Sequence, residues 1–195
     1  MNTPTLMTER LILRKFTEND AEALFKIYGD EEVNTFLPWF PLKTLEETRE
    51  FYLKRYENVY NQERAYNYGV CLKEDNYPIG YINVGTEGAN DFGYALRKDF
   101  WRNGFITEAG VAVIEQLKRD GIPFITATHD INNPKSGEVM KRLKMTYQYS
   151  YVEQWQPKNF PVTFRMYQLN LDGNGGRVYK EYWDNSTVHF IEENI

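Results

Sequence analysis

The stretch with the clearest chemical content is Tyr94-Ala95-Leu96-Arg97-Lys98-Asp99-Phe100-Trp101-Arg102-Asn103-Gly104-Phe105-Ile106-Thr107-Glu108-Ala109, which reads as a strand, a polar loop with one glycine, and a helix N-terminus. That order builds an anion trap. First-turn amides of a helix have no intrahelical acceptor, the helix dipole makes that end positive, and glycine lets a ligand approach the backbone closely. A pyrophosphate suits such a cradle, although the same pattern also serves as a plain connection. Cys71 stands mid-strand between Val70 and Leu72 with no Cys or His cluster nearby, so it reads as a packing cysteine and no metal site is expected.

The elements that must position this loop follow from size and periodicity. At 195 residues with 42% apolar content, the chain has room for one domain with a substantial core. Its net charge of -5 argues against nucleic-acid binding, which needs an excess of Lys and Arg on some face, and suits a cationic substrate better. No signal pattern opens the chain and no stretch is long enough to span a bilayer, so a soluble, cytoplasmic protein is expected. Leu11-Ile12-Leu13 opens with a strand, and Thr17 with Asp20 has the capping-box spacing for a helix through Ala23, Leu24, Ile27 and Tyr28. Thr44 and Glu47 repeat that spacing before a second helix. Period-two alternation then predicts strands over 66–72, 79–84 and 92–96 as an antiparallel meander. A helix over 107–119, a strand over 124–128, a helix opening at Asn133-Pro134, and strands over 146–152 and 163–171 complete the domain.

Several of these segments resemble the GNAT family of acetyltransferases, in the branch related to ribosomal-protein N-terminal acetyltransferases. Gly104-Phe105-Ile106-Thr107-Glu108-Ala109 stands where the family has its acyl-CoA signature. Thr8-Glu9-Arg10-Leu11-Ile12-Leu13-Arg14, Gly93-Tyr94, and Asn133 with Ser136 match in the family's element order, over roughly residues 8–171. The sequence departs from the family where Arg102 replaces a loop glycine and where Lys144-Met145 replaces a Gly-Phe. The resemblance implies an α+β fold: a mixed, mostly antiparallel seven-stranded sheet flanked by about four helices, splayed between the strands ending near Arg97 and His129. It also implies acetyl-CoA as co-substrate. Leu96 and Arg97 would hold the pantetheine arm and polarise the thioester. Arg102, Asn103, Gly104, Phe105, Ile106 and Thr107 would hold the pyrophosphate. Asn133 and Ser136 would contact the cofactor arm.

The implied reaction is direct acetyl transfer to a primary amine, on a small molecule or a protein N-terminus, with no membrane partner and with homodimerisation left open. The family's usual acid, a tyrosine, is replaced by Met140. Ser136 is then the candidate proton donor, unless it is an ordinary hydroxyl of the first helical turn. Glu153, Glu87, the His129-Asp130 pair and a water relay are the candidate bases. Trp39, Phe40 and Tyr94 are expected at the acceptor site, the proline-interrupted segment 36–41 being either its wall or a core plug. Residues 172–195 extend past the family's last strand and carry Val178, Tyr179, Tyr182, Trp183, Val188, Phe190 and Ile191. This extension is expected to pack on the domain or on a partner subunit. An alternative without catalysis is an acyl-CoA-binding sensor or interaction protein.

Overall fold

The computed structural model describes residues 2–193 and 195. Strand β1 (Leu6–Met7) and β2 (Leu11–Arg14) lead into a short 3-10 turn and helix α1 (Ala21–Tyr28). The start of α1 is fixed as its sequence suggests, because the Asp20 carboxylate accepts from the Thr17 amide at 2.8 Å and takes a bidentate Arg14 at 2.8 and 2.9 Å. Burial alone would raise the Asp20 carboxyl, but Arg14 and the Thr17 amide outweigh it and hold it below its usual range. At α2 (Leu45–Tyr52) the Thr44 hydroxyl accepts from the Glu47 amide at 3.1 Å. The Glu47 carboxylate reaches back to the Lys43 amide, one residue before the cap, at 2.7 Å. The helix then widens into a π-helical stretch, Leu53–Glu57, before α3 (Asn58–Tyr60).

The meander forms as the alternation predicts: β3 (Tyr66–Leu72), β4 (Pro78–Val84) and β5 (Phe92–Leu96) pair antiparallel and, with β1 and β2, make a five-stranded sheet ordered β1-β2-β3-β4-β5. Helix α4 (Phe105–Arg119) follows, then β6 (Phe124–Asp130), α5 (Pro134–Arg142), β7 (Thr146–Trp155) and β8 (Phe160–Asn170). The second sheet is ordered β6-β8-β7-β9, with β9 (His189–Phe190) supplied by the C-terminal segment after α6 (Glu181–Asn185). The seven strands read from periodicity are thus β2 to β8. The two short strands are additions, and the expected mixed sheet is divided in two. An isolated parallel bridge between Asp91 and Thr126 joins the halves.

Three apolar clusters hold these layers. One lies between the sheets and α4 and α5, around Ile82, Phe92, Val113, Leu117, Ile125 and Leu143. A second, rich in tyrosine, fills the opposite face of the first sheet under α1 and α2, with Phe16, Leu24, Tyr28, Tyr56 and Tyr81. On the α4 face of the same sheet, close strand packing depends on Gly80, where a Cβ would fall 2.4 Å from the Ala95 carbonyl oxygen and 2.9 Å from the Leu96 side chain. The third cluster seats the C-terminal segment on the second sheet. Tyr182 stacks on Tyr151 at 5.2 Å, and Trp183 meets Tyr149 edge-on at 5.4 Å. Glu192 takes a bidentate Arg165 at 2.6 and 2.9 Å.

Removing residues 172–195 should therefore strip the covering from Tyr149 and Tyr151 and free Arg165. We expect Tm to fall by roughly 10 °C, given the aromatic area exposed. A truncated chain melting at the same temperature by circular dichroism would show that this segment does not stabilise the domain.

Candidate active site

Helix α4 begins at Phe105 with Gly104 as its N-cap in the left-handed region (φ 77°). Arg102, just before it, is also left-handed (φ 65°), a conformation that suits glycine and strains a residue with a Cβ. The two reversals turn the loop so that successive amides point one way. Among the described residues, no acceptor takes the N–H groups of residues 103–107. A clamp from the N-terminus secures the arrangement. Glu108 accepts from the Thr8 hydroxyl at 2.6 Å, from the Arg10 amide at 2.9 Å and from Arg10 Nε at 2.7 Å, while Arg10 Nη1 donates to the Asn103 carbonyl at 3.0 Å. Thr8 and Arg10, far from the loop in sequence, thereby fix its geometry. The exposed Asn103 side chain folds back on the carbonyls of Phe100 and Trp101, so this residue can contribute its amide but not its side chain.

The loop opens onto a cleft of about 1670 Å³ that runs through the gap between β5 and β6. Strand β5 bonds β4 through its odd-numbered residues, with the Arg97 amide on Ile79 at 2.9 Å and the Gly85 amide on Asp91 at 2.9 Å. Alternation along the strand then turns the Tyr94 and Leu96 amides toward the gap. Leu96 lines the cleft. The Arg97 amide is engaged with Ile79, and its guanidinium pairs with Asp99 at 2.9 Å and lies over Phe100. Inside the gap the Tyr94 hydroxyl donates to the Ser136 carbonyl at 2.8 Å and stands 2.8 Å from Ser136 Oγ. Burial pushes the Tyr94 phenol well above its usual range, so it keeps its proton. Asn133 is the residue before α5 and its carbonyl accepts from the Ser136 amide, but its side chain makes no capping bond and remains available at the cleft.

The candidate bases separate. Glu87 is exposed in the β4–β5 turn and is not among the residues lining the cleft. Asp130 accepts from both the backbone and side-chain nitrogens of Asn132 at 2.8 and 2.9 Å. His129 is buried, with Nδ1 2.8 Å from the Asp130 carbonyl and Nε2 against Gly137, and burial lowers its pKa. Glu153 lines the cleft near its rim, and partial burial raises its carboxyl. Asp91 escaped the sequence reading, since an Asp between turn residues looks like part of the turn. Its side chain is exposed, opening into the cleft, and the protein around that cleft still takes enough water from the carboxyl to push it up to about 6. Among the described residues no cation pairs with it. Tyr182, from the C-terminal segment, stands beside it: burial raises that phenol first, and the Asp91 charge adds to the effect. Trp39 lines the cleft and anchors its indole N–H on Asn34 at 2.9 Å, whereas Phe40 is exposed in a separate shallow hollow with Pro41 and Leu42. The segment 36–41 is therefore partly a wall, and the pairing of Trp39 with Phe40 does not hold.

Residues 10–146 match the model of the acetyltransferase (GNAT) domain. The chain is 27% identical to the uncharacterized N-acetyltransferase YoaA of Bacillus subtilis (strain 168) over 150 residues, 74% of this chain and 83% of that one. Its fold is similar to that of a GNAT-family acetyltransferase from Bacillus anthracis, with a TM-score of 0.75 at 22% identity over 87% of this chain and 99% of that one. The ribosomal α-N-protein acetyltransferase RimL, in complex with coenzyme A, gives a TM-score of 0.75 at 20% identity, again over 87% and 99%. Among the described residues, no helix is long and apolar enough to cross a membrane, and no group of three or more His, Cys, Asp or Glu could hold a metal ion.

Two substitutions test the loop. Arg102→Gly should relieve the left-handed strain and raise Tm by about 2–4 °C, the equivalent of roughly 1 kcal/mol; a lower Tm would mean that the arginine side chain contributes more than its backbone costs. Glu108→Ala releases Thr8 and Arg10 together. Coenzyme A affinity by isothermal titration should drop about tenfold, and an unchanged Kd would show that the clamp does not organise the loop.

Proposed function

The chain belongs to the GNAT acetyltransferase family, and from that premise we propose that it transfers acetyl from acetyl-CoA directly to a primary amine in the gap between β5 and β6. One observation carries this reading: the unengaged amides of α4, the open edge of β5 and the Asp91 carboxylate, unpaired among the described residues, all face a single cleft. The donor set fits the co-substrate. Backbone N–H groups of residues 103–107 and the Arg102 guanidinium suit a pyrophosphate, the Leu96 and Tyr94 amides suit the pantetheine arm and the acetyl oxygen, and the Asn133 side chain sits at the mouth. Acetyl-CoA, when bound, supplies the activated acetyl thioester.

Asp91 takes the base role in this proposal. As the new N–C bond forms, the amine nitrogen becomes acidic, and a nearby carboxylate accepts its proton. When the C–S bond breaks, the departing sulfur takes a proton from the Tyr94 hydroxyl, which Ser136 Oγ is placed to replenish. That pair supplies the donor that Met140 cannot. Glu153, at the rim, is the second carboxylate of the acceptor side and favours a cationic amine in its approach. Protein N-termini and small amines are both acceptors of this class. A cytoplasmic setting agrees with the free, buried Cys71.

Acetyl-CoA at about 100 times its Kd should stabilise the fold by roughly 2.7 kcal/mol, and thiol release in the presence of amines should follow. With Asp91 ionised only above its pKa, kcat/KM should fall as pH drops below about 6. Asp91→Asn should lower kcat/KM about a hundredfold and abolish that acidic limb. A variant retaining the limb would exclude Asp91 as the base.

A further inference from the structure

The acceptor side of the cleft contains a second charged group that the transfer step does not use. Arg55 lies in the π-helical stretch Leu53–Glu57, a rare geometry that often marks functional positions, and it lines the cleft. Its guanidinium sits 4.6 Å over the Trp39 ring and 5.8 Å from that of Phe51. Among the described residues, no carboxylate lies within ion-pairing distance of it, and its buried Nε has no hydrogen-bond partner. This is unusual, because a guanidinium taken out of water is costly unless paired. The contrast with Arg14, held bidentate by Asp20, is direct.

The surroundings of Arg55 favour an anion. Burial works against its charge, but the phenols of Tyr28, Tyr56 and Tyr81 outweigh burial and hold its pKa above the ordinary value. Two of those hydroxyls, on Tyr28 and Tyr56, bond each other at 2.5 Å. Beside Tyr56, the side-chain amide of Asn83 has both its oxygen and its nitrogen shielded from water; the Tyr56 hydroxyl interacts with it, and neither atom makes a hydrogen bond of full geometry. Asn83 pairs with Gly93 on β5 and with Asn67 on β3, so it shares the α1–α2 face of the sheet with Tyr81. Asp91 is two residues from Gly93, which puts the unpaired cation and the unpaired carboxylate on the same side of the sheet. One strand separates Asn83 from the gap, and strands lie about 4.8 Å apart.

We propose that Arg55 and Asn83 form a subsite for an anionic group on the acceptor, which is then a primary amine carrying a carboxylate or phosphate about 5–10 Å from its nitrogen. The planar guanidinium, stacked on Trp39, presents its remaining donors to two oxygens of that group, and the Asn83 amide nitrogen donates to one of them. The Trp39 indole fixes the guanidinium plane, a role that its Asn34 hydrogen bond supports. This inference rests on the cleft being the acceptor site, and a direct binding measurement separates the two.

The full chain, saturated with coenzyme A to block the α4 loop, is titrated with acetate and with inorganic phosphate while arginine Nε–H resonances are followed by ¹⁵N NMR. Arg55→Lys identifies the Arg55 signal by its loss. A saturable shift of that signal supports the subsite, and the anion that binds more tightly says whether the acceptor carries carboxylate or phosphate. No shift with either anion into the tens of millimolar overturns it. Kinetics supply the second arm, with amines compared in pairs that differ only in the anion, an amino acid against its carboxamide and an amino-sugar phosphate against its parent. The charged member should be preferred at least about tenfold in kcat/KM. That ratio should shrink in Arg55→Lys and approach unity in Arg55→Met. Equal ratios in all three proteins would sink the proposal. If no amine is acetylated yet the Arg55 signal still titrates, the transfer reading fails and the anion subsite stands.

Discussion

The arrangement of this molecule depends on one parallel contact between two strands that then part. Asp91 and Thr126 bridge β5 to β6 at their starts, and the join is doubled by side chains: Asn90 donates to the Phe124 carbonyl, and Thr126 to that of Ala89, each at 3.0 Å. Beyond it the two sheets diverge. Strand edges left without a ladder partner normally invite another chain or water. Here they face a cleft, and α4 and α5 on one side with α1 and α2 on the other keep it from closing. A gap anchored at one end gives exposed β5 amides, a wall for each substrate and a narrow inner end where Asp91 sits.

Electrostatics divide the charged groups into structural and available ones. Arg14 with Asp20, Arg10 with Glu108 and Arg165 with Glu192 are paired; the first is local to the start of α1, and the other two tie together parts of the chain that the sequence keeps apart. The Arg165–Glu192 pair holds the C-terminal segment, and with it Tyr182, against the cleft. Among the described residues, Asp91 and Arg55 have no such partners. Both face the same cleft, so each keeps an interaction in reserve, and a zwitterionic ligand is the kind of molecule that meets both. A protein of net charge -5 can in this way still hold an anion, through one half-buried arginine rather than a patch of them.

The tyrosine-rich composition takes on meaning in the same setting. Tyr28, Tyr56 and Tyr81 form a packed layer under α1 and α2, with Tyr28 stacked on Tyr81 at 5.1 Å. Their hydroxyls meet around Arg55, where aliphatic side chains would have left its charge unsolvated. Around the gap, the Asp91 charge adds to burial in raising the phenols of Tyr94, Tyr151 and Tyr182. Aromatic side chains with polar tips let the interior be closely packed and still contain charge.

Much of this was legible in the sequence, and the exceptions share a cause. Period-two alternation located β2 to β8, capping residues located α1, α2 and α5, and the order of strand, one-glycine loop and helix located the loop whose amides are left unengaged. These signals are local, set by neighbouring side chains and backbone preferences. Glu87 and Asp91 show the limit. Both are exposed acidic residues near one turn, and nothing local distinguishes the one that faces bulk solvent from the one that faces the cleft. Asp91 becomes special only because β6 bridges to it and the distant Tyr182 stands beside it, as Arg55 does only because Trp39, Tyr81 and Asn83 converge on it. Arg97 and Phe40 err the other way, as plausible site residues whose groups turn toward Asp99 and solvent. The sequence by itself determined the elements and the family; the tertiary structure alone decided which charges face the cleft and which are paired away from it, because the surroundings of a side chain are imposed by residues remote in the chain.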